Sequence, residues 1–133
     1  MAHITGDSEL KALADRTLGA FAKEMDALPG AYPALISALD YYLGPQREVV
    51  IAAGTGGIDV GRFTGVANSG FFPRGIVVLH DRRDTGPTIE AVAPWVKELV
   101  PIGEATTLYL CENGTCRLPV TGIDDAYRLV SGK

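Results

Sequence analysis

Apolar residues recur at helical spacing in the first third of the chain. Residues 8–27 place apolar side chains along one side and mostly polar ones along the other, which predicts an amphipathic helix with its cap at Asp7 or Ser8. A second apolar stripe predicts another helix over about residues 33–43. A proline–glycine or glycine–proline pair follows each segment, so the pattern predicts a helical hairpin.

Short runs rich in β-branched residues begin after this hairpin. Residues 48–53 and 75–80 are apolar at nearly every position, which predicts two strands that are buried on both faces. Residues 60–69 between them predict a helix, which two glycines weaken. Strand, helix and strand in this order indicate a βαβ unit with a right-handed crossover.

The next helical pattern contains a proline. Residues 88–99 carry apolar residues at helical spacing, but Pro94 lies among them. This proline either kinks the helix or marks the first turn of a shorter one. A last short helix is predicted over residues 124–130.

Residues 107–120 predict a β-hairpin around Asn113-Gly114. This dipeptide is a strong signal for a type I′ turn, whose two central residues both need positive φ. The pairing places Cys111 opposite Cys116 at a position without direct hydrogen bonds, where Cα atoms lie about 4.5 Å apart. The two sulfurs are then close enough to bond, and the pairing alone leaves open whether they do.

These elements predict an α/β fold in which an N-terminal helical hairpin precedes a small βαβα-plus-hairpin sheet domain. We expect a single domain over residues 1–133, with the helical hairpin in residues 1–45 and the α/β module in residues 46–133. The β-hairpin is expected to extend the sheet to three or four strands.

Charge and composition exclude several classes of function. The chain has 133 residues and a formal charge of −4, which argues against a nucleic-acid or anionic-membrane partner. No apolar run approaches the roughly 20 residues of a membrane span. The N-terminus lacks the pattern of a signal peptide, so we expect a cytoplasmic protein in which the two cysteines are free thiols.

A glycine-rich loop follows the first strand. Gly54, Gly56 and Gly57 begin a pattern similar to a dinucleotide-binding loop, but the third glycine of that pattern is replaced by Asp59. An aspartate there would repel a phosphate from the helix N-terminus, so we favour an ordinary flexible loop and expect no cofactor. A small-molecule site formed by this loop and residues 80–83 remains an alternative.

His80 and Asp81 end the second strand. Such a pair at a strand's carboxyl edge suits acid–base chemistry, but no second base or nucleophile can be placed near it, so we favour a surface histidine in a charged loop and expect no catalytic residue. Two cysteines and two distant histidines lack the spacing of a zinc site, so no metal is expected.

Cys111 and Cys116 are the candidate redox pair. Redox dithiols usually lie at a helix N-terminus, whereas a hairpin arm supplies no such field. Arg117 is the nearest cation, and strand alternation places it on the face opposite Cys116. We therefore favour two buried, reduced cysteines that pack as small hydrophobic residues, with a thiol redox element as the alternative.

At the hairpin, a strand ends in a cysteine, and after four intervening residues a second cysteine precedes a proline–valine–threonine turn. This motif covers residues 108–111 and 116–121, and further motifs lie at residues 4–7, 32–35, 38–41, 43–45, 48–52 and 71–73. In this order, the motifs resemble the C-terminal region of the spermatogenesis-associated, thioredoxin-domain-containing family, bacterial YyaL type.

The resemblance implies that this chain is the tail of a larger cytosolic protein of unestablished activity. Full-length members look like a thioredoxin-like domain followed by an α/α toroid, and residues 1–45 resemble the end of that toroid. The chain would then be a non-catalytic α/β accessory module. Its expected partner is the rest of the full-length protein, or a second copy that binds through the N-terminal helices.

Overall fold

The computed structural model describes residues 2–56, 60–70, 72–83 and 88–132. The chain divides into two compact units, Met1–Gly44 and Pro45–Lys133. The prediction that both units belong to one domain stays a prediction.

The first unit is helical. Asp7 caps its longest helix, because its carboxylate accepts hydrogen bonds from the backbone N–H groups of Glu9 and Leu10. Phe21 leaves the helical conformation, with φ −100° and ψ 6°, so the predicted helix over residues 8–27 is interrupted. The helices are α1 (Ala2–Thr5), α2 (Ser8–Ala20), α3 (Ala22–Ala27) and α4 (Pro33–Leu43), with a 3₁₀ turn at Pro29–Ala31.

The second unit is built on a four-stranded mixed sheet. Its strands lie in the order β2-β1-β3-β4, where β1 pairs in parallel with β2 and antiparallel with β3. The predicted α/β fold class is therefore confirmed. The elements of this unit are β1 (Arg47–Ala52), α5 (Val60–Ser69), β2 (Gly75–His80), α6 (Ile89–Val92), β3 (Thr107–Glu112), β4 (Thr115–Cys116) and α7 (Ile123–Ser131).

One face of the sheet packs against α5 and α7. Side chains alternate between the two faces of a strand, and the register of β1 with β3 places the same face of both strands on this core. The buried core residues are Val49, Ile51, Phe63, Ala67, Leu108, Leu110, Ala126 and Val130. Burial of these apolar side chains contributes favourably to the folding of this unit.

The structure corrects two expectations. β2 is an edge strand, and Val77 and Leu79 are 38% and 47% exposed, so the prediction of burial on both faces was wrong. The predicted helix over residues 88–99 is two short pieces, α6 and a 3₁₀ helix at Pro94–Glu98. Pro94 lies at the start of the second piece, because its ring cannot continue the first.

Candidate functional site

The hairpin between β3 and β4 has the predicted geometry. Asn113 and Gly114 have φ values of 50° and 79°, as a type I′ turn requires. The backbone N–H of Arg117 donates to the carbonyl of Leu110 at 2.9 Å. This bond places the next pair toward the turn, Cys111 and Cys116, at a position without direct backbone hydrogen bonds.

Cys111 and Cys116 form a disulfide. Their Cα atoms are 3.8 Å apart. Cys111 is 2% exposed, whereas Cys116 is exposed because it lies on β4, a two-residue strand at the edge of the sheet. The expectation of two buried, reduced cysteines was therefore wrong. A redox role for the pair stays a prediction.

Charged and polar contacts hold the hairpin turn against the start of β1. The backbone N–H of Gln46 donates to Asn113 Oδ1 at 3.2 Å, and the backbone N–H of Asn113 donates to the carbonyl of Gln46 at 3.1 Å. Glu112 accepts a hydrogen bond from Arg47 Nε at 3.1 Å, and Arg117 Nη2 lies 4.0 Å from the same carboxylate. Both guanidinium groups therefore interact with Glu112, which lies on the face opposite Cys111.

Glu48 on β1 lies directly opposite Cys111 on β3. The two residues are register partners in the antiparallel pair, so their side chains project from the same face of the sheet. Glu48 is 4% exposed, which is unusual for a carboxylate. Sequence reasoning missed this residue, although a glutamate at the start of a buried apolar strand was the available signal.

His80 is buried at the end of β2. It is 2% exposed, so the prediction of a surface histidine was wrong. Nδ1 lies 2.8 Å from the Leu99 carbonyl oxygen, and Nε2 lies 2.8 Å from Glu90 Oε1. A carbonyl only accepts, so Nδ1 donates to Leu99, while Nε2 contacts the Glu90 carboxylate. The ring therefore joins β2 to the segment after it.

Asp81 is not the acid–base partner of His80 in this structure. Its carboxylate accepts hydrogen bonds from Arg83 Nε at 2.8 Å, Arg83 Nη2 at 2.7 Å and the Arg83 backbone N–H at 3.0 Å. These bonds lower the pKa of Asp81 from 3.8 to about 2, and the aspartate in turn raises the pKa of Arg83. The hydrogen bond from His80 lowers the pKa of Glu90.

Two glycines of the candidate ligand loop pack against the backbone of residues 104–106. The N–H of Gly54 donates to Thr106 Oγ1 at 3.2 Å, and the N–H of Gly56 donates to the Glu104 carbonyl at 2.7 Å. A Cβ atom at Gly54 would overlap the backbone of this segment. Gly57 lies outside the described residues. Close packing explains these two glycines without a ligand, and the small-molecule site stays a prediction.

Neither a metal cluster nor a membrane span is found in the described parts of the chain. Within those parts, no group of three or more His, Cys, Asp or Glu side chains is placed to hold a metal ion. No helix there is both long enough and apolar enough to span a bilayer.

The sequence is similar to spermatogenesis-associated protein 20. The human protein is 26% identical to this chain over 104 residues, and the rat protein is 25% identical over 104 residues. Each comparison covers 78% of this chain but 13% of the relative, so the chain spans a small part of these curated proteins. No family model and no solved structure matches the chain. This similarity agrees with the resemblance to spermatogenesis-associated proteins. The assignment to the bacterial YyaL type stays a prediction.

The disulfide is the group through which the described site can undergo covalent chemistry. The other candidate side chains are held by contacts within the fold, His80 by Glu90 and Asp81 by Arg83. Thiol–disulfide exchange needs an accessible sulfur, and Cys116 is exposed.

Proposed function

We propose that this chain is a non-catalytic α/β accessory module at the C-terminal end of a larger cytosolic protein of the thioredoxin-domain and α-toroid type. The observation that carries the proposal is the difference in coverage: the aligned region is 78% of this chain but only 13% of each relative. Since 104 residues are 13% of the human protein, that protein has about 800 residues. The present sequence corresponds to a piece of such a protein.

The contacts of the candidate residues support a structural role. His80 joins β2 to the following segment, Asp81 holds Arg83, and Gly54 allows two backbone segments to approach closely. These three residues, which first indicated chemistry, thus have structural roles in the fold. The YyaL-type assignment and the cytoplasmic location are parts of the same proposal.

Apolar side chains on the first unit support a partner for it. Leu13, Leu28 and Leu43 are 52%, 62% and 72% exposed. Exposed leucines in three segments of a small helical unit are typical of side chains that another part of a larger protein covers. We assign this role to the rest of the full-length protein. When that part is absent, a second copy of this chain takes its place.

The reading frame upstream of residue 1 tests the accessory-module proposal. The proposal expects thioredoxin-like and toroid-type sequences in the same frame. An in-frame stop codon directly upstream of residue 1, with no such sequence between the two, would contradict it.

Sedimentation of the isolated chain tests whether the exposed leucines bind a second copy. Substitution of Leu13 and Leu28 by Ser should abolish self-association. A wild-type chain that is already monomeric would argue against binding through these leucines.

A second candidate function is a thiol redox element, and the Cys111–Cys116 disulfide is the observation that favours it. In a reducing compartment, disulfides are usually transient and serve catalysis or redox sensing. Alkylation with and without reductant tests this function. The proposal expects no reactive thiol in the oxidised chain and two after mild reduction of the folded protein. Thiols that react only after denaturation would contradict it.

A further inference from the structure

We propose that Leu118 makes the Cys111–Cys116 disulfide selective for a polypeptide thiol whose cysteine lies between apolar side chains. This inference rests on the second candidate function, the thiol redox element, and it adds the class of the reaction partner. Leu118 is 87% exposed, the largest exposure among the large apolar side chains in the described parts of the chain. It lies two residues after Cys116, whose sulfur belongs to the disulfide.

A β-bulge in the second arm of the hairpin contains Leu118. Backbone hydrogen bonds fix the pairing of Arg117 with Leu110 and of Val120 with Leu108. On β3 one residue lies between these two pairs, whereas the other arm has two residues there, of which Leu118 is the first. An extra residue of this kind bends the strand and re-aims the side chains beside it. The bulge therefore explains why Leu118 is exposed although it follows a paired strand.

The backbone of Cys116 faces the open edge of the sheet. Hydrogen-bonded and non-hydrogen-bonded pairs alternate along an antiparallel ladder, and Cys116 forms a non-hydrogen-bonded pair with Cys111. Its N–H and C=O are therefore directed away from β3. Since β4 is the last strand in the order β2-β1-β3-β4, an extended polypeptide can pair with Cys116 from this side. A small thiol without a peptide backbone makes no such contact.

Chain geometry places Leu118 beside a polypeptide that reacts at Cys116. Residues in an extended segment rise about 3.3 Å each, so the Cα atoms of Cys116 and Leu118 are at most about 7 Å apart. An apolar side chain next to the partner's cysteine is then within reach of Leu118, and contact removes apolar surface from water. Arg117 Nη2 lies 4.0 Å from the Glu112 carboxylate, which compensates its charge. The surface therefore suits an apolar, uncharged partner better than an acidic thiol.

Reduction of the pair proceeds through a mixed disulfide at Cys116. The partner's thiolate, R–S⁻, attacks the Cys116 sulfur, because Cys116 is exposed and Cys111 is buried. The Cys111–Cys116 bond breaks, its electron pair leaves with the Cys111 sulfur, and that sulfur takes a proton from solvent. A second R–S⁻ attacks the R sulfur of the mixed disulfide and releases R–S–S–R and the Cys116 thiolate, which is protonated in turn. Two R–SH molecules thus supply the two electrons and two protons that the pair gains.

The test measures how fast two peptides open the disulfide in the full chain. The probes are N-acetyl-leucyl-cysteinyl-leucinamide and N-acetyl-seryl-cysteinyl-serinamide, which have the same length and one thiol each. Acid-quenched samples are separated by mass. In the wild type, the apolar peptide should react roughly fivefold faster than the polar one, the effect of burying part of a leucine side chain. Leu118→Ser should abolish this preference by slowing the apolar peptide alone.

Leu79→Ser is the matched control for Leu118→Ser. Leu79 is 47% exposed on β2, at the opposite edge of the sheet, so this variant loses the same side chain far from the disulfide in strand order. Its preference for the apolar peptide should equal that of the wild type. An equal loss of preference in both variants, or equal rates for the two peptides in the wild type, would overturn the role of Leu118.

Methylation of the apolar peptide's backbone nitrogens tests whether the partner is bound as a polypeptide. The methylated peptide keeps both leucine side chains but lacks backbone N–H donors, so it should react more slowly than the parent peptide. Equal rates for the two would contradict backbone pairing at Cys116.

Dithiothreitol distinguishes failure of the selectivity from failure of the redox function. This small dithiol needs no contact with Leu118, so it should open the disulfide equally fast in the wild type and in Leu118→Ser. A large loss of its rate in Leu118→Ser would show a structural effect of the substitution and contradict the proposal. A disulfide that dithiothreitol fails to open in the folded wild-type chain would remove the redox function, and the selectivity with it.

Discussion

His80 Nε2 lies 2.8 Å from Glu90 Oε1, and this contact joins the end of β2 to α6. The other ring nitrogen holds the Leu99 carbonyl at 2.8 Å. One buried side chain thus connects three segments that are separated by 10 and 19 residues in sequence. The histidine that first indicated acid–base chemistry is a structural bridge in this fold.

Replacement of His80 by Leu should lower the free energy of unfolding by about 1–3 kcal/mol, because it removes both ring contacts and leaves the Leu99 carbonyl and the Glu90 carboxylate without their partner. Urea unfolding followed by far-UV circular dichroism measures the loss.

Glu90→Gln is the matched control for this bridge. His80 can still donate from Nδ1 to Leu99, and Nε2 can accept from the introduced side-chain amide, so the expected cost is below about 1 kcal/mol. Equal stability of His80→Leu and the wild type would show that the bridge contributes nothing.

Gly54→Ala should destabilise the second unit by about 3 kcal/mol, because the new Cβ would overlap the backbone of Glu104 and Ala105. Gly65→Ala is the opposite case. Gly65 lies inside α5 with open space around its Cβ position, so alanine there should stabilise by about 0.5–1 kcal/mol. Thermal unfolding of both variants measures whether each one raises or lowers stability. An unchanged melting temperature in Gly54→Ala would contradict the close packing at position 54.

Stability should fall in acid because of Asp81. Its pKa is about 2 in the folded chain and about 3.8 when unfolded, so its contribution is present above pH 4 and is lost as the pH falls toward 2. The lowered pKa of Glu90 acts in the same direction. Arg83→Gln should move the NMR titration midpoint of Asp81 back toward 3.8, whereas Arg82→Gln should leave it near 2. An unchanged midpoint in Arg83→Gln would show that the hydrogen bonds do not set this pKa.

Local sequence signals predicted the parts of the fold that depend on local geometry. Asn113-Gly114 needs positive φ at two adjacent residues, so the hairpin and the Cys111–Cys116 pairing follow from the turn. Helix α5 and strand β2 also begin and end where the apolar pattern indicates, at Val60–Ser69 and Gly75–His80.

Long-range packing decided the parts that sequence reasoning missed. His80 is buried by partners 10 and 19 residues later, and no local pattern shows that Glu90 and Leu99 meet it. The strand β2 lies at the sheet edge because β3 occupies the other side of β1, so apolar residues at Val77 and Leu79 stay exposed. Glu48 lies opposite Cys111 because of the register between β1 and β3, which no local sequence pattern shows.

The mass of the native polypeptide tests the central claim most directly. Antibodies raised against this 14.1 kDa chain should detect, in a denaturing blot of the source cells, one polypeptide several times larger. Mass spectrometry of that band should find peptides of this chain together with upstream peptides. A single band near 14.1 kDa would contradict the claim that the chain is an accessory module of a larger protein.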